Sequence, residues 1–248
     1  MKKLFNWIKY EFADFKLLVR NVPATAFAFF AIAVVLMNLM ASKTILNLSW
    51  LALDGGLIIA WLPFMSMDVI TKHFGPRAAT KLSIFATVIN LMVCGIFAIL
   101  TYIPGTWSTG WDNKIANDAV NTLFAGSWQV LLSSTIAFIA SAFINNFLNA
   151  GIGKLFVNNP DSKSSYVTRT YVSTVVGQFF DNIIFNMLFQ VMFIRSWTPL
   201  QALTCALTGA LVELIMEIIF SPIGYRITVN WKTSGVGKEY LESQFYKE

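Results

Sequence analysis

Six stretches of about 20 mostly apolar residues follow one another along this chain of 248 residues, and each is long enough to cross a bilayer as a helix. Only 12% of the residues are charged, against about 25% in soluble domains, which excludes a soluble domain. We therefore predict an all-α, polytopic membrane protein with six transmembrane helices. They cover approximately residues 22–42, 55–71, 82–102, 130–152, 171–194 and 200–220.

The lysine and arginine residues predict how these helices are oriented. From the N terminus onwards, the segments that flank the apolar stretches hold 5, 1, 3, 1, 3, 1 and 4 of the 18 basic residues. Because cytoplasmic loops are richer in lysine and arginine, this alternation predicts that both termini are cytoplasmic. The net charge of +5 is then explained by the membrane flanks, and we expect no nucleic-acid partner.

The residues ahead of the first stretch form a segment of their own. Apolar side chains recur on one helical face there, with lysines between them: Leu4, Ile8, Phe12 and Phe15. This pattern predicts an amphipathic helix over residues 1–20 that lies on the inner leaflet, ahead of a transmembrane domain over 21–228 and a cytoplasmic tail over 229–248. The alternative is a plain cytoplasmic extension of the first transmembrane helix.

The longest external segment, residues 103–128, carries three tryptophans: Trp107, Trp111 and Trp128. Tryptophan is enriched at membrane interfaces, so these side chains are expected to be interfacial anchors. A lid over an outward-facing pocket is the other interpretation of this segment.

Polar side chains stand where the bilayer should exclude them. Asp181 lies ten residues into the fifth stretch, about 15 Å deep and close to the midplane. Its side of the helix also carries amides at spacings of three and four residues: Gln178, Asn182, Asn186 and Gln190. Because ionisable groups at this depth usually line a cavity or a pathway, this face predicts a ligand pocket. A hydrogen-bonded contact between helices is the structural alternative.

Three further acids lie near the apolar stretches. Glu213 and Glu217 are four residues apart in the sixth stretch and face the same way, so they repel unless one is protonated or each has a partner. Asp68, just ahead of Lys72, is either an interfacial charge or a pocket residue. Asparagines add smaller signals in the first, third and fourth stretches: Asn38, Asn90, Asn145, Asn146 and Asn149.

Catalytic motifs are absent from the sequence. It has no His-Glu-x-x-His, Gly-x-Ser-x-Gly or glycine-rich phosphate-binding pattern. A single histidine, His73, cannot form a histidine metal cluster, and the two cysteines lie inside apolar runs. We expect neither an enzyme nor a cofactor.

Four segments resemble the queuosine-precursor transporter family, also called the vitamin uptake transporter family. Residues 68–75, DVITKHFG, followed by Arg77 and Ala78, are similar to its Asp-x-x-Thr-x-x-Tyr/Phe-Gly-x-x-x-Ala signature. Residues 38–43, 173–185 and 217–232 resemble three further family segments. The resemblance implies a six-helix bundle like the substrate-binding subunit (S-component) of energy-coupling-factor (ECF) importers. It also implies a bacterial inner membrane location.

For the ligand, the resemblance implies a deazaguanine base such as preQ0 or preQ1, or a related queuine compound or nucleoside, salvaged for tRNA modification. One carboxylate, from Asp181 or Glu217, would accept the two parallel N–H donors of a guanine-like edge, and Trp61, Phe180 or Phe185 would supply an aromatic wall. The expected substrate-binding residues are Asp181, Gln178, Glu217, Glu213, Asn182, Asn145, Asp68, Asn38 and Phe185.

The chain departs from the family pattern at four positions. Lys72 stands where the family has Glu, and Glu213 stands where it has Lys, so we hypothesise that this pair has exchanged charges and interacts. Gln129 and Asn145 replace a family Arg and Asp. These changes leave room for a different salvage substrate.

Three functions follow from this sequence. The first is a transporter that imports a queuosine precursor. The second is an S-component of an ECF-type vitamin or micronutrient importer, which would need separate energising subunits and could dock them through Ala24 and Ala28. The third is a membrane scaffold without a ligand. A homo-oligomer is compatible with each of these functions.

Overall fold

The computed structural model of the chain describes residues 2–105, 107, 114–155 and 163–247. These residues form ten α-helices and one β-hairpin. The helices are α1 (Lys2–Asn21), α2 (Ala24–Met40), α3 (Trp61–Phe74), α4 (Pro76–Tyr102), α5 (Lys114–Ala125), α6 (Ser127–Leu155), α7 (Lys163–Asn186), α8 (Pro199–Thr233), α9 (Lys238–Leu241) and α10 (Gln244–Lys247).

The chain bends by 105° between α1 and α2. Pro23 stands at this bend, ahead of the first residue of α2. Proline lacks a backbone N–H and disfavours helical geometry in the residue before it, so α1 ends at Asn21 and α2 starts in a new direction. As a result, α1 lies across one end of the helical bundle.

A short hairpin follows α2 and departs from the all-α prediction. Strand β1 (Thr44–Asn47) pairs antiparallel with β2 (Ala52–Asp54), and a 3₁₀ turn (Gly55–Ile58) follows. The turn packs closely on α2, because a Cβ at Gly55 would lie only 2.8 Å from the Met40 carbonyl oxygen. The second predicted stretch, 55–71, therefore begins as a 3₁₀ turn and becomes α-helical only at α3.

Four described segments are long and apolar enough to cross a membrane, and the bent pair of α1 and α2 would make a fifth. These four are Pro76–Tyr102, Lys114–Ser141, Val175–Phe193 and Pro199–Phe220. The protein is thus a mostly helical, polytopic membrane protein. The count of six crossings stays a prediction, since α2 has 17 residues and α3 has 14.

Two of the long helices differ from their predicted stretches. The final turns of the fifth stretch are wound as a π-helix, Met187–Phe193, which continues directly from α7. Helix α8 begins with a capping box between Thr198 and Gln201 and runs through Pro222 well beyond residue 220. Part of the predicted tail is therefore helical.

The two terminal segments pack together at one end of the bundle, here called the terminal end. Its core contains Leu18 from α1, Phe74 from α3 and Tyr240 from α9, each at most 2% exposed. Leu4, Ile8 and Phe12 of the predicted amphipathic face are exposed. Phe15 instead packs edge to face on Phe85 of α4 at 5.2 Å.

A charged cluster fastens α1 to α4 at the terminal end. Lys81 forms ion pairs with Asp14 and Glu11, and Asp14 is 4% exposed. The buried Tyr240 lies beside Asp14, and burial together with that carboxylate raises the pKa of the tyrosine. Both acids of α1 therefore have a lysine partner.

Candidate functional site

A buried cavity of about 40 Å³ lies between the hairpin and the middle of the bundle. We call it the carboxylate cavity, because three acids from different elements line it: Asp54, Asp181 and Glu213. Asp181 comes from α7 and Glu213 from α8, while Asp54 ends strand β2. The cavity wall is completed by residues that include Asn38, Asn182 and Phe185.

Hydrogen bonds hold two of these acids in place. The Ser141 hydroxyl donates to Asp181 Oδ1 at 3.0 Å, and Asn182 Nδ2 donates to Glu213 Oε1 at 3.4 Å. Glu213 is 1% exposed, and its Oε2 finds no partner among the described residues. One carboxylate oxygen is therefore buried without a donor.

A glycine allows α7 and α8 to approach each other at this site. A Cβ at Gly209 would lie 2.8 Å from Asn182 Nδ2, which is closer than side chains tolerate. Gly209 also precedes Glu213 by one helical turn, so both line the same cavity. The missing side chain thus leaves room for the amide that contacts Glu213.

Asp54 was not among the residues predicted from the sequence. Its carboxylate accepts a hydrogen bond from the Gly56 N–H at 2.8 Å and caps the 3₁₀ turn. Burial raises the pKa of Asp54 to about 6, although the bond from Gly56 opposes this shift. Asp54 precedes the apolar stretch, so hydropathy did not mark it. The Asp-Gly-Gly sequence, typical of a tight turn, was the available signal.

A second cavity of about 60 Å³ adjoins the first. The two share four wall residues: Met37, Asn38, Ser134 and Asp181. The second cavity adds the aromatic rings of Phe64 and Phe138 and the amide of Asn90. Asn90 is 1% exposed, and its Nδ2 finds no acceptor among the described residues. Together the two cavities combine carboxyl groups, amide groups and aromatic walls.

The predicted site residues divide into three groups. Five of them line the carboxylate cavity: Asp181, Asn182, Glu213, Asn38 and Phe185. Gln178 is buried in α7 and Glu217 is half-buried in α8, but neither is among the described lining residues of the two cavities. Asp68 belongs to α3 and Asn145 to α6, and their side chains lie outside the described part of the structure.

Other expected residues lie apart from the cavities. Lys72 is exposed in the last turn of α3, whereas Glu213 is buried in the cavity wall, so the two do not share a described cavity. Trp61 stacks on Phe220 at 4.3 Å, and Phe180 is 37% exposed. Of the three predicted aromatic walls, Phe185 is the one that lines the carboxylate cavity.

A wider groove of about 610 Å³ opens at the hairpin end of the bundle, between β1, α5 and the π-helix. Gln190 lines this groove, and its Nε2 donates to the Ala41 carbonyl at 3.3 Å. Ala41 lines the carboxylate cavity. The Gln190–Ala41 contact therefore lies between the groove and the cavity.

The described part of the segment 103–128, which is predicted to be external, includes helix α5. The Trp107 indole donates to Asn121 of α5 at 2.7 Å, which ties the start of this segment to the helix. Trp128 is 51% exposed and contacts Phe193 edge to face. Trp111 lies outside the described residues, so the choice between anchors and a lid stays open.

Comparisons with known proteins show the family of this chain. A family model described as "Putative vitamin uptake transporter" matches residues 54–227. A "Probable queuosine precursor transporter" of Bacillus subtilis (strain 168) is 26% identical over 201 residues, which cover 80% of this chain and 81% of the relative. No solved structure matches. Because the family model covers more than half of the chain, the protein belongs to the vitamin uptake transporter family.

Proposed function

We propose that the protein imports a queuosine precursor, a deazaguanine base of the preQ0 and preQ1 type, for tRNA-modification salvage. The name of the Bacillus subtilis relative supports this substrate class. The observation that carries the proposal is the convergence of Asp181, Asn182 and Glu213 on one buried cavity. A site of this kind suits a small polar ligand that is read by hydrogen bonds.

The chemistry of the cavity fits a guanine-like edge. Such an edge offers two parallel N–H donors, and one carboxylate accepts both. Glu213 has an oxygen without a described donor, and Asp181 has a single described hydrogen bond, to Ser141. A base without those donors would leave buried acceptors unpaired, at a cost of about 1–3 kcal/mol per group. The site therefore discriminates against bases with another hydrogen-bonding edge.

Both cavities are too small to hold a bicyclic base. Volumes of about 40 and 60 Å³ hold only a few water molecules. A bicyclic base needs the shared wall at Met37 and Asn38 to move, so that the two cavities become one. Binding and release then require a conformational change, as expected of a carrier.

The membrane arrangement is part of the proposal. In addition to the four apolar segments, α2 and α3 would cross the bilayer, giving six crossings in a bacterial inner membrane. Both terminal segments lie at one end of the bundle, and the alternation of basic residues favours the cytoplasm for that end. Helix α1 would rest on the inner leaflet with its exposed apolar side chains in the lipid.

Uptake of radiolabelled precursor into cells that express only this chain tests the function. We expect uptake by the wild type and its loss in Asp181→Asn, because the amide carries no charge and cannot accept through both oxygens. Glu242→Gln is the matched control, since Glu242 is exposed in the tail. Wild-type cells without uptake, despite correct insertion of the protein, would contradict the proposal.

A substrate-binding subunit of an ECF-type importer is the second candidate. Ala24 and Ala28 are both exposed on α2, and small residues at that spacing allow close approach of another helix. Purification from the native membrane separates the two functions. A stoichiometric ATPase partner favours the subunit, and uptake by the isolated chain favours the stand-alone transporter.

A further inference from the structure

We propose that the carboxylate cavity selects a ligand that carries a protonated amine over a neutral ligand of the same shape. This inference rests on the proposed function and adds a charge preference to it. Asp54, Asp181 and Glu213 line one small cavity, and no lysine, arginine or histidine is among its described lining residues. Three carboxyl groups therefore face the same ligand space.

The protein's own donors do not neutralise this cluster. Asp54 is bonded by the Gly56 N–H, Asp181 by the Ser141 hydroxyl and Glu213 by the Asn182 amide. All three donors are uncharged. Glu213 Oε2 keeps no described donor at all, although the residue is 1% exposed. A buried carboxylate oxygen in this state is a vacant acceptor.

The crowding of acids favours an incoming cation. Glu213 shares the small carboxylate cavity with Asp181 and Asp54, and no basic side chain is among its described lining residues. Buried charges are normally paired, because water no longer screens them. A cation that entered with the ligand would pair with these acids and supply the missing donor in one step.

The spacing of the acids favours an organic cation over a metal ion. No group of three His, Cys, Asp or Glu side chains in the described part of the chain is close enough to hold a metal. A primary ammonium offers three N–H donors and is carried on a longer molecule, so it suits carboxylates that are spread around a cavity. The adjoining second cavity contains Phe64, Phe138 and the unpaired Nδ2 of Asn90, and it shares Asp181 with the first. It would take the flat ring with its guanine-like edge on Asp181, which leaves Glu213 to the amine.

Two probes of nearly the same shape test this preference. The base preQ1 carries an aminomethyl group that is protonated at neutral pH, and preQ0 carries a neutral cyano group at the same ring position. Each unlabelled base competes for uptake of a labelled precursor, and the ratio of the two half-inhibitory concentrations is measured. We expect the wild type to favour the aminomethyl base by at least about tenfold.

Glu213→Gln should reduce this ratio by at least about tenfold, because the vacant acceptor loses its charge. Asp54→Asn is the second variant and should also reduce the ratio, because it removes another carboxylate from the cavity. Asparagine retains the cap on the 3₁₀ turn. Glu242→Gln, in the exposed tail, should leave the ratio unchanged.

The outcomes separate this inference from the proposed function. Equal competition by both bases would overturn the charge preference and leave the transport proposal intact. A wild-type preference for the cyano base would mean that the carboxylates hold protons, and it would also overturn the inference. Competition by neither base would overturn the proposed substrate class itself.

Discussion

Acidic side chains have a basic partner at the terminal end, whereas those of the carboxylate cavity have none among its described lining residues. At the terminal end, Asp14 and Glu11 share an ion pair with Lys81. In the cavity, the described lining gives Asp181 and Glu213 only uncharged donors. The first arrangement neutralises its charges within the chain and joins two helices. The second leaves carboxyl groups inside the protein without a basic partner in the described lining.

Side-chain packing also differs between the terminal end and the carboxylate cavity. The terminal end buries large side chains such as Phe74 and Tyr240 almost completely. The residues that line the carboxylate cavity instead include glycine and small polar residues, and the cavity has room for a few water molecules. Stability should therefore depend mainly on the terminal end and transport mainly on the cavity.

The largest loss of stability is expected for Phe74→Ala. This ring is 1% exposed within the core of the terminal end, and its removal should cost about 3–5 kcal/mol. Unfolding of the purified protein in detergent measures the change. Phe12→Ala is the matched control, because Phe12 is 68% exposed and should change stability by less than about 0.5 kcal/mol. Equal losses would show that the terminal end is not the main stabilising region.

A smaller loss is expected for Lys81→Met. The substitution keeps the length of the side chain but leaves the buried Asp14 carboxylate without its cation, at a cost of about 2 kcal/mol. The exposed ion pair of Lys238 with Glu242 provides the control, because Lys238→Met should cost less than about 0.5 kcal/mol. If Lys81→Met proved neutral in detergent unfolding, the contrast with the cavity would lose its electrostatic basis.

Gly209→Ala should cost about 1 kcal/mol and lower uptake. The added methyl group would displace the Asn182 amide and weaken its contact with Glu213. At Gly95 of α4, no atom lies within 4 Å of an added Cβ, so Gly95→Ala should stabilise the helix by about 0.5–1 kcal/mol. Parallel uptake and unfolding measurements separate the two glycines. Unchanged uptake in Gly209→Ala would argue against a role for the Asn182–Glu213 contact.

The smallest change of stability, and the largest change of transport, is expected for Asp181→Asn. Asparagine keeps the acceptor for Ser141 and removes a buried charge, so the free energy of unfolding should shift by less than about 0.5 kcal/mol. Uptake should nevertheless be lost. A variant that lost stability and uptake together would place Asp181 among the structural residues.

The long apolar stretches and the polar face of α7 could be predicted from sequence, because both depend on local composition and helical periodicity. Asp181 and Asn182 were predicted from that face, and Glu213 was predicted as an acid within the sixth apolar stretch. The structure brings the three residues to one cavity. The charge exchange between Lys72 and Glu213 rested on family resemblance and stays a hypothesis, since the two residues do not share a described cavity.

The hairpin and Asp54 could not be predicted in the same way. Strand β1 has four residues, of which three are exposed, so it shows no alternation that would indicate a strand. The turn that follows β2 packs on α2, which is a tertiary contact that the local sequence does not reveal. Asp54 reaches the cavity through the same tertiary arrangement, and no local pattern links it to Glu213.

The π-helix between α7 and α8 makes the local geometry depend on the number of residues in this segment. Its hydrogen bonds reach one residue further than those of an α-helix, so the segment behaves as an α-helix into which a residue has been inserted. Deleting one residue would restore regular winding and rotate everything beyond it by about 100°. Gln190 would then turn away from the Ala41 carbonyl that it now holds. The Gln190–Ala41 contact between the groove and the carboxylate cavity therefore depends on the number of residues in this segment as well as on their identity.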